Sequence, residues 1–264
     1  MSRPERKGGL AFLPTSINWL GLALVVGCVT LWEIASRTLG SEFTTLASLS
    51  ETVSALIQLA VTGPLLEQLF HTLNVALSGW IIACVIGLAL GIAVGMSRTV
   101  WTYTMASIDV LRSIPSISLV SIALMLFGFS PKMEMVIVVY VSQWPMLLAT
   151  IGGIRATSPD LIDVSRTFHL SRPALLFKII VPSALPNILV GMRLSLSLAI
   201  ALAVVAEMVG NPAGLGFGLV FSQQAIQPAQ AFAYLLVIGL VGWSLNAVFV
   251  AVVRHGFDGY GPIV

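Results

Sequence analysis

The chain has 264 residues, of which 57% are apolar and 9% charged, and its formal net charge is +2. A soluble domain carries about 25% charged residues, so this composition excludes a soluble enzyme and a disordered chain and argues against nucleic-acid binding. With a mean hydropathy of +0.99, the chain is predicted to be a membrane protein. Cys28 and Cys84 lie in apolar stretches and are interpreted as small packing residues rather than disulfide partners or metal ligands.

Several apolar stretches approach the length of about 20 residues that a helix needs to cross the hydrocarbon. In chain order, the six predicted spans cover 19–36, 73–96, 113–129, 133–151, 191–208 and 232–253. Their apolar runs are continuous, whereas the strands of a membrane barrel alternate apolar and polar residues. The sequence therefore predicts an all-α polytopic membrane protein with six transmembrane helices.

The basic residues predict the orientation of these spans. With the N-terminus placed in the cytoplasm, eleven of the thirteen basic residues fall on the inner side, and only Arg37 and Lys132 fall outside. Inner loops of membrane proteins carry such an excess of Lys and Arg. We therefore expect both termini to be cytoplasmic.

The second span carries small residues at every fourth position, namely Gly79, Ala83, Gly87, Gly91 and Gly95. Residues at this spacing share one helix face, and small side chains let another membrane helix approach closely. We expect this face to pack inside one subunit; a dimer contact is the alternative.

Polar residues inside the spans are candidates for a translocation path. Glu207 is costly in lipid, so it either lines a water-filled path or pairs locally near the outer interface. Ser116 in the third span either lines a polar route or packs with its hydroxyl bonded to the backbone. The stretch after Glu207 is uncharged as far as Val253 and is broken at 211–214 and 227–228, so we expect part of it to be a connector packed within the protein or dipping into the bilayer.

One inner loop, 152–190, is longer than the others. Ser158-Pro159-Asp160 predicts a helix start, with this helix running to about Phe168. Ser171 predicts the start of a second helix that continues through Ile180 and is stopped by Pro182. Both helices are amphipathic, which favours a docking element for another protein; helices lying on the membrane surface are the alternative.

This loop resembles the Glu-Ala-Ala signature of the membrane subunits of ATP-binding-cassette (ABC) importers. The signature continues with three residues, glycine, nine residues and Ile-x-Leu-Pro. Here Asp163-Val164-Ser165 takes the first place, His169 takes the place of the glycine, and 179–182 reads Ile-Ile-Val-Pro at the same spacing. Glycine suits a left-handed turn between two helices, and histidine tolerates that conformation at a cost.

The resemblance extends over about residues 30–255. It includes Leu31-Trp32-Glu33, His71-Thr72-Leu73, 111–115, Ala206-Glu207-Met208 and Gly214-Leu215-Gly216, and it is strongest to the nitrate, sulfonate and taurine permeases. The Pro-Ser-Pro stretch that usually follows the first span in this branch is replaced by Leu46-Ala47-Ser48-Leu49.

The domains expected are a cytoplasmic N-terminal segment (1–18), a first transmembrane helix with an external segment (19–72), a core permease domain (73–253, with the coupling loop at 152–190) and a cytoplasmic tail (254–264).

The resemblance implies a type I ABC importer fold in the bacterial inner membrane. Two permease subunits, here expected as a homodimer, would form the pathway, two cytoplasmic ATPases would bind ATP and Mg, and an external solute-binding protein would deliver the solute. The implied ATPase-coupling residues are Asp163, Val164, Ser165, Phe168, His169, Ile179 and Pro182. The implied solute is a small anion such as an aliphatic sulfonate, taurine or nitrate; a vitamin or pyrimidine precursor is the alternative within the branch.

The chain is not expected to be an enzyme. A phosphate-binding loop needs glycine directly before its lysine, and Lys7, Lys132 and Lys178 follow Arg, Pro and Phe. No HExxH pair is present, and no catalytic or metal-binding residue is predicted, so ATP hydrolysis is assigned to a partner. Two alternatives stay open: a secondary transporter, for which Glu207 is the strong ion-coupling candidate, and a structural or assembly membrane protein.

Overall fold

The computed structural model describes residues 19–39 and 46–256, and within these ranges the chain is helical, without strands. The expected N-terminal segment 1–18 and residues 257–264 of the expected tail 254–264 lie outside the described residues, while 254–256 belong to the last helix. The helices are α1 (Trp19–Leu39), α2 (Leu49–Val61), α3 (Leu65–Gly95), α4 (Arg98–Arg112), α5 (Ser116–Phe127), α6 (Pro131–Arg155), α7 (Pro159–Thr167), α8 (Arg172–Leu175), α9 (Val181–Gly210), α10 (Gly214–Gln224) and α11 (Pro228–Gly256).

Length and apolar composition confirm a membrane-spanning helical protein. Five helices of the described residues are long and apolar enough to cross a membrane, and the bent pair of α4 and α5 makes a sixth if it is one span. Large apolar side chains face outward around the molecule; for example, Leu20 is 85% exposed and Trp243 is 70% exposed. A surface of this kind fits lipid or another subunit rather than water.

The core is built by α3, α6 and α9, which pack along their lengths. Its main cluster includes Val75 from α3, Met133 and Val138 from α6, and Ala199 and Ala203 from α9. All five side chains are at most 2% exposed. The interior of the protein is therefore a three-helix unit, and the first and last spans lie around it with only 6% of their apolar windows buried.

The third predicted span, 113–129, differs in the structure. It is formed by α4 and α5, which meet at an angle of 80°. Pro115 precedes α5 and restricts the residue before it to an extended conformation, so a helix cannot continue through this point. With 12 residues, α5 is about 18 Å long and needs α4 to complete a crossing. The hydroxyl of Tyr140 in α6 donates to the carbonyl of Leu111 at 2.6 Å and ties the end of α4 to the core.

Helix α2, which the sequence analysis did not predict, begins with a capping box. The N–H of Glu51 donates to the Ser48 hydroxyl, and the N–H of Ser48 donates to the Glu51 carboxylate. This second hydrogen bond is the main cause that holds the pKa of Glu51 below its usual value. The signal was readable as Ser followed by Glu three residues later.

The prediction that Pro182 stops a helix is wrong. From Arg172 to Gly210 the chain is one helical stretch of 39 residues, and a π-helical turn at Leu176–Ile180 joins α8 to α9. In this turn the N–H of Val181 donates to the carbonyl of Leu176. The wider turn accommodates Pro182, which has no N–H to donate and would crowd a regular turn. The predicted fifth span, 191–208, is thus the second half of a longer helix.

The small-residue face of α3 lies against α6 of the same chain. An added Cβ would come within 2.6 Å of Val138 at Gly79, 2.8 Å of Met146 at Gly87 and 2.6 Å of Thr150 at Gly91, with Gly95 next to Ile154. Ala83 in the same row is 0% exposed. Side chains at these positions would push the two helices apart, so the spacing of α3 and α6 depends on the absence of bulk.

Adding one methyl group to this face tests the packing. Gly91→Ala should cost about 1–3 kcal/mol of stability through overpacking, because the new Cβ meets Thr150 at 2.6 Å and the carbonyl of Leu147 at 3.0 Å. Thermal melting in detergent measures the change. The matched control is Gly152→Ala in α6, where nothing lies within 4 Å and alanine should stabilise the helix slightly. Equal melting of the two variants would contradict this packing.

Candidate functional site

The loop between α6 and α9 contains α7, followed by a tight turn. The N–H of Leu161 donates to the Ser158 carbonyl at 3.2 Å and the N–H of Asp160 to the Ser158 hydroxyl at 3.3 Å, so the helix starts where Ser158-Pro159-Asp160 indicates. Helix α7 ends at Thr167, one residue before the expected end. The structure thus contains a short helix at this point, projecting beyond the core.

His169 adopts the left-handed conformation, with a φ of 49°. The N–H of Leu170 donates to the Ser165 carbonyl at 3.0 Å, which is the longer bond of a Schellman turn with His169 in the position that glycine usually takes. A non-glycine residue there costs about 1–2 kcal/mol. The turn between the two loop helices therefore forms despite the histidine, at a local energetic cost.

The loop presents aromatic side chains outward. Phe168 is 73% exposed, Phe177 is 68% exposed and Leu161 is 42% exposed. Ser165 is buried, and its hydroxyl donates to the Ile162 carbonyl at 2.5 Å. An exposed apolar surface on a short helical projection is typical of a site that binds another protein.

The structure separates the predicted loop residues into two groups. Leu175 and Leu176 pack on a buried cluster that includes Ile154, Ile180 and Ala184. Ile179 and Pro182 are half-buried and Asp163 is exposed, while the side chain of Val164 lies outside the described residues. The sequence analysis did not predict an exposed Phe177. Phe177 is an aromatic residue in an otherwise aliphatic helix, and hydrophobic periodicity does not distinguish it from its neighbours.

A second site lies at the opposite end of the core, where α6 begins. Glu134, in the first turn of α6, is 0% exposed. His71 of α3 reaches it, with 2.9 Å between Nε2 and the Glu134 Oε2. The side-chain amide of Asn211 donates to the other Glu134 oxygen. Two membrane helices and the connector after α9 thus meet at one buried carboxylate.

Glu207 of α9 completes this cluster. Its side chain is 1% exposed, and its Oε2 accepts from the N–H of Gly216 in α10 at 2.8 Å. One potential ligand atom from each of His71, Glu134 and Glu207 lies within 4.8 Å of the others. Glu207 thus pairs locally through the N–H of Gly216 and also borders a cavity of about 300 Å³.

Glycines allow α10 to begin beside Glu207. Gly214 has a φ of 87°, and a Cβ on it would lie 2.1 Å from the Glu207 Cδ. A Cβ on Gly216 would lie 2.2 Å from the Val204 carbonyl. The uncharged connector predicted at this point therefore packs within the protein, with Leu215 0% exposed and its N–H bonded to the Thr72 hydroxyl at 2.9 Å.

The structure does not bring Ser116 to this cluster. Ser116 is the first residue of α5 and half-buried, whereas the other end of α5 leads into the start of α6. The sequence missed His71, Glu134 and Asn211. The sequence signal that could have found them is an ionisable residue at the end of an apolar run. The residues of the cluster are far apart in the chain, however, and only tertiary packing brings them together.

The bundle, the bent helix pair and the loop helix define a polytopic helical membrane protein. Residues 84–256 match the family of binding-protein-dependent transport system inner membrane components. The chain belongs to this family of ABC importer permeases. The predicted resemblance is confirmed, and the secondary transporter and the assembly protein are set aside.

The relatives place the chain in the sulfonate and nitrate branch. It is 28% identical over 226 residues to SsuC of Bacillus subtilis, named as an aliphatic sulfonates transport permease protein, covering 85% of this chain and 82% of the relative. It is 27% identical to the nitrate import permease protein NrtB of Leptolyngbya laminosa, covering 68% of this chain and 64% of the relative.

The fold is shared with solved importers. The methionine ABC transporter MetNI in an inward-facing conformation aligns with a TM-score of 0.65 at 18% identity, over 72% of this chain and 94% of the other. An amino acid ABC transporter solved with histidines aligns with a TM-score of 0.58 at 17% identity, over 78% and 94%. The type I importer fold predicted from the sequence is thereby confirmed.

The contact between Gly214 and Glu207 can be tested by substitution. Gly214→Ala should destabilise the protein more than Gly152→Ala, because Gly214 has a positive φ and its added Cβ would meet Glu207, whereas nothing lies within 4 Å of a Cβ at Gly152 in α6. Backbone strain of about 1–2 kcal/mol and overpacking of about 1–3 kcal/mol act at Gly214 alone. Thermal melting of both variants measures the difference.

The double variant Glu207→Ala, Gly214→Ala isolates the clash. Removing the Glu207 carboxylate frees the space that the new methyl group needs, so the two substitutions should be less than additive. Strict additivity would show that Gly214 is required for its backbone conformation only.

Proposed function

We propose that this chain forms the translocation pathway of an ABC importer for a small anion, with an aliphatic sulfonate, taurine or nitrate as the solute. It acts with cytoplasmic ATPases that bind ATP and Mg, with an external solute-binding protein and with a second copy of itself. The observation that carries the coupling part of this proposal is the exposed aromatic pair Phe168 and Phe177, on a helical loop with the signature spacing of the family.

The ATPase contact is assigned to α7 and the turn after it. Phe168 lies directly after α7 and Phe177 lies in the π-helical turn before α9, so two large apolar side chains are available to a groove on a partner. Asp163 lies on the exposed surface of α7. The predicted coupling residues Ser165, His169, Ile179 and Pro182 then shape the loop rather than fill the groove.

The same helix that carries the loop also reaches the buried polar cluster. The 39-residue stretch from Arg172 to Gly210 is about 58 Å long and packs on α3 and α6. A displacement of the loop by the ATPase is therefore transmitted as a rigid movement along α9. We assign to this movement the coupling between closure of the ATPases on bound ATP and access of the solute to the pathway.

Arg193 supports an anionic solute. It lies near the middle of the Arg172–Gly210 stretch and is half-buried. It takes part in none of the ion pairs of the described residues; its Nε donates to the Asn246 Oδ1 at 2.9 Å. Together with Ser197 it lines a cavity of about 490 Å³. A positive charge that borders a cavity and has no acidic partner would attract an anionic solute.

The orientation follows the distribution of basic residues, with both termini in the cytoplasm. This places α7 beside the ATPases and the polar cluster at the external side. Helices α1 and α11 leave most of their apolar surface uncovered in one chain, which accommodates lipid and the second permease subunit.

Replacing the exposed aromatic residues of the loop with aspartate tests the proposed coupling to the ATPases. Phe168→Asp and Phe177→Asp should each lower uptake and solute-stimulated ATP hydrolysis about tenfold or more, since buried aromatic contacts dominate interfaces. The assay uses the whole transporter in proteoliposomes with its binding protein. Phe129→Asp is the matched control, because Phe129 is 70% exposed at the other end of the bundle. Wild-type uptake in both loop variants would overturn the coupling assignment.

Solute uptake tests the anion assignment. A strain that lacks this chain should lose growth on sulfonates or on nitrate. In the transporter itself, Arg193→Gln should lower solute uptake roughly tenfold through loss of a charge-assisted contact. Arg193→Lys should recover part of this uptake. Arg112→Gln, at an exposed pair with Asp109, is the control. Growth defects confined to a vitamin or pyrimidine precursor would contradict the anion while leaving the permease class intact.

A further inference from the structure

The polar cluster at the start of α6 contains more acidic than basic groups. Glu134 and Glu207 are 0% and 1% exposed, and His71 supplies at most one positive charge. No Lys or Arg joins them in the ion pairs of the described residues. Burying an uncompensated carboxylate costs several kcal/mol, and a bound cation would offset this cost.

We propose that His71, Glu134 and Glu207 bind a divalent transition-metal ion of the Zn²⁺ or Mn²⁺ type. One imidazole nitrogen with two carboxylates is a ligand set that these ions accept. The three candidate ligand atoms lie within 4.8 Å of one another. Ligands at about 2.1 Å from one ion lie roughly 3.4 Å apart in a tetrahedron, so small side-chain movements bring them into coordination.

One oxygen of the buried Glu207 carboxylate is left without a hydrogen bond. Among the described residues the Glu207 Oε1 is buried and has no hydrogen-bond partner, while Oε2 accepts from Gly216. An unpartnered buried oxygen is costly. A metal ion would take this oxygen as a ligand and remove that cost. Rotation of the Asn211 amide, whose two ends are assigned from hydrogen bonding alone, would offer a fourth ligand oxygen.

The site is reachable from two cavities. One of about 310 Å³ is lined by His71 and by the exposed Glu67, and the other, of about 300 Å³, is lined by Glu207 and Asn211. The carboxylate at Glu67 would attract a cation to the first of them. An entry path is one of the requirements of a metal site, and the cluster meets it.

Metal binding here would join the three helices of the core at one end. His71 belongs to α3, Glu134 to α6 and Glu207 to α9, while Asn211 lies on the connector to α10. Because these helices also form the proposed pathway, the ion would fix their separation at the end opposite the coupling loop. The inference concerns metal content and stability, and it does not depend on which solute is transported.

Metal analysis of the purified transporter tests the proposal. After dialysis against Zn²⁺ or Mn²⁺ alone, each permease chain should retain about one equivalent, as expected for a site with a dissociation constant well below the metal concentration. The same metal should raise the melting temperature, and EDTA should lower it. His71→Gln should lose the equivalent, whereas His255→Gln, at an exposed histidine of α11, should keep it.

A neutral variant and a spectroscopic measurement separate metal binding from a folding defect. Glu134→Gln with Glu207→Gln removes both charges at nearly constant shape, and its melting should not respond to EDTA. For the wild type, X-ray absorption at the zinc edge should show nitrogen and oxygen ligands without sulfur, and this requires no variant. Retention of one equivalent by the neutral variant, sulfur ligation, or absence of bound metal in the wild type would overturn the proposal.

Discussion

The close approach of α3 to α6 is the constraint on which the rest of the structure depends. In lipid, apolar surface gains little from helix association, so helices join through tight packing and polar contacts. Gly79, Gly87 and Gly91 remove side-chain bulk where Val138, Met146 and Thr150 of α6 need the space. On the other side of α6, a Cβ at Gly191 of α9 would lie 2.5 Å from Ala149. The central helix is thus held between two faces of small residues.

This packing has an electrostatic consequence at one end and a mechanical one at the other. Where α6 begins, the three helices bring Glu134, Glu207 and His71 together with both carboxylates buried, and Gly214 and Gly216 let α10 begin beside Glu207. Where α6 ends, the chain leaves the core for α7 and returns through a π-helical turn. That turn keeps α8 and α9 in one helical stretch. The same helix therefore connects the protein-binding loop to the buried charges.

The bounds of the helix that carries Arg193 change how the position of this residue is interpreted. Hydropathy alone places Arg193 at the end of a predicted span, where basic side chains are common. Because the helix continues from Arg172 through Pro182, the residue lies near the middle of one helical stretch and borders a cavity with Ser197. The difference arises from proline, which ends most helices but is accommodated here by one wider turn.

The sequence by itself determined the membrane class, the small-residue face of α3, the start of α7 and the family. Each of these depends on composition or on residues close together in the chain, such as Ser158-Pro159-Asp160 or the spacing from Asp163 to Pro182. Only the tertiary structure decided that Phe177 is exposed, that Glu134 is buried, and that His71, Glu134, Glu207 and Asn211 meet. These residues come from different helices, and their separation in space is set by helix packing, which local sequence pattern does not encode.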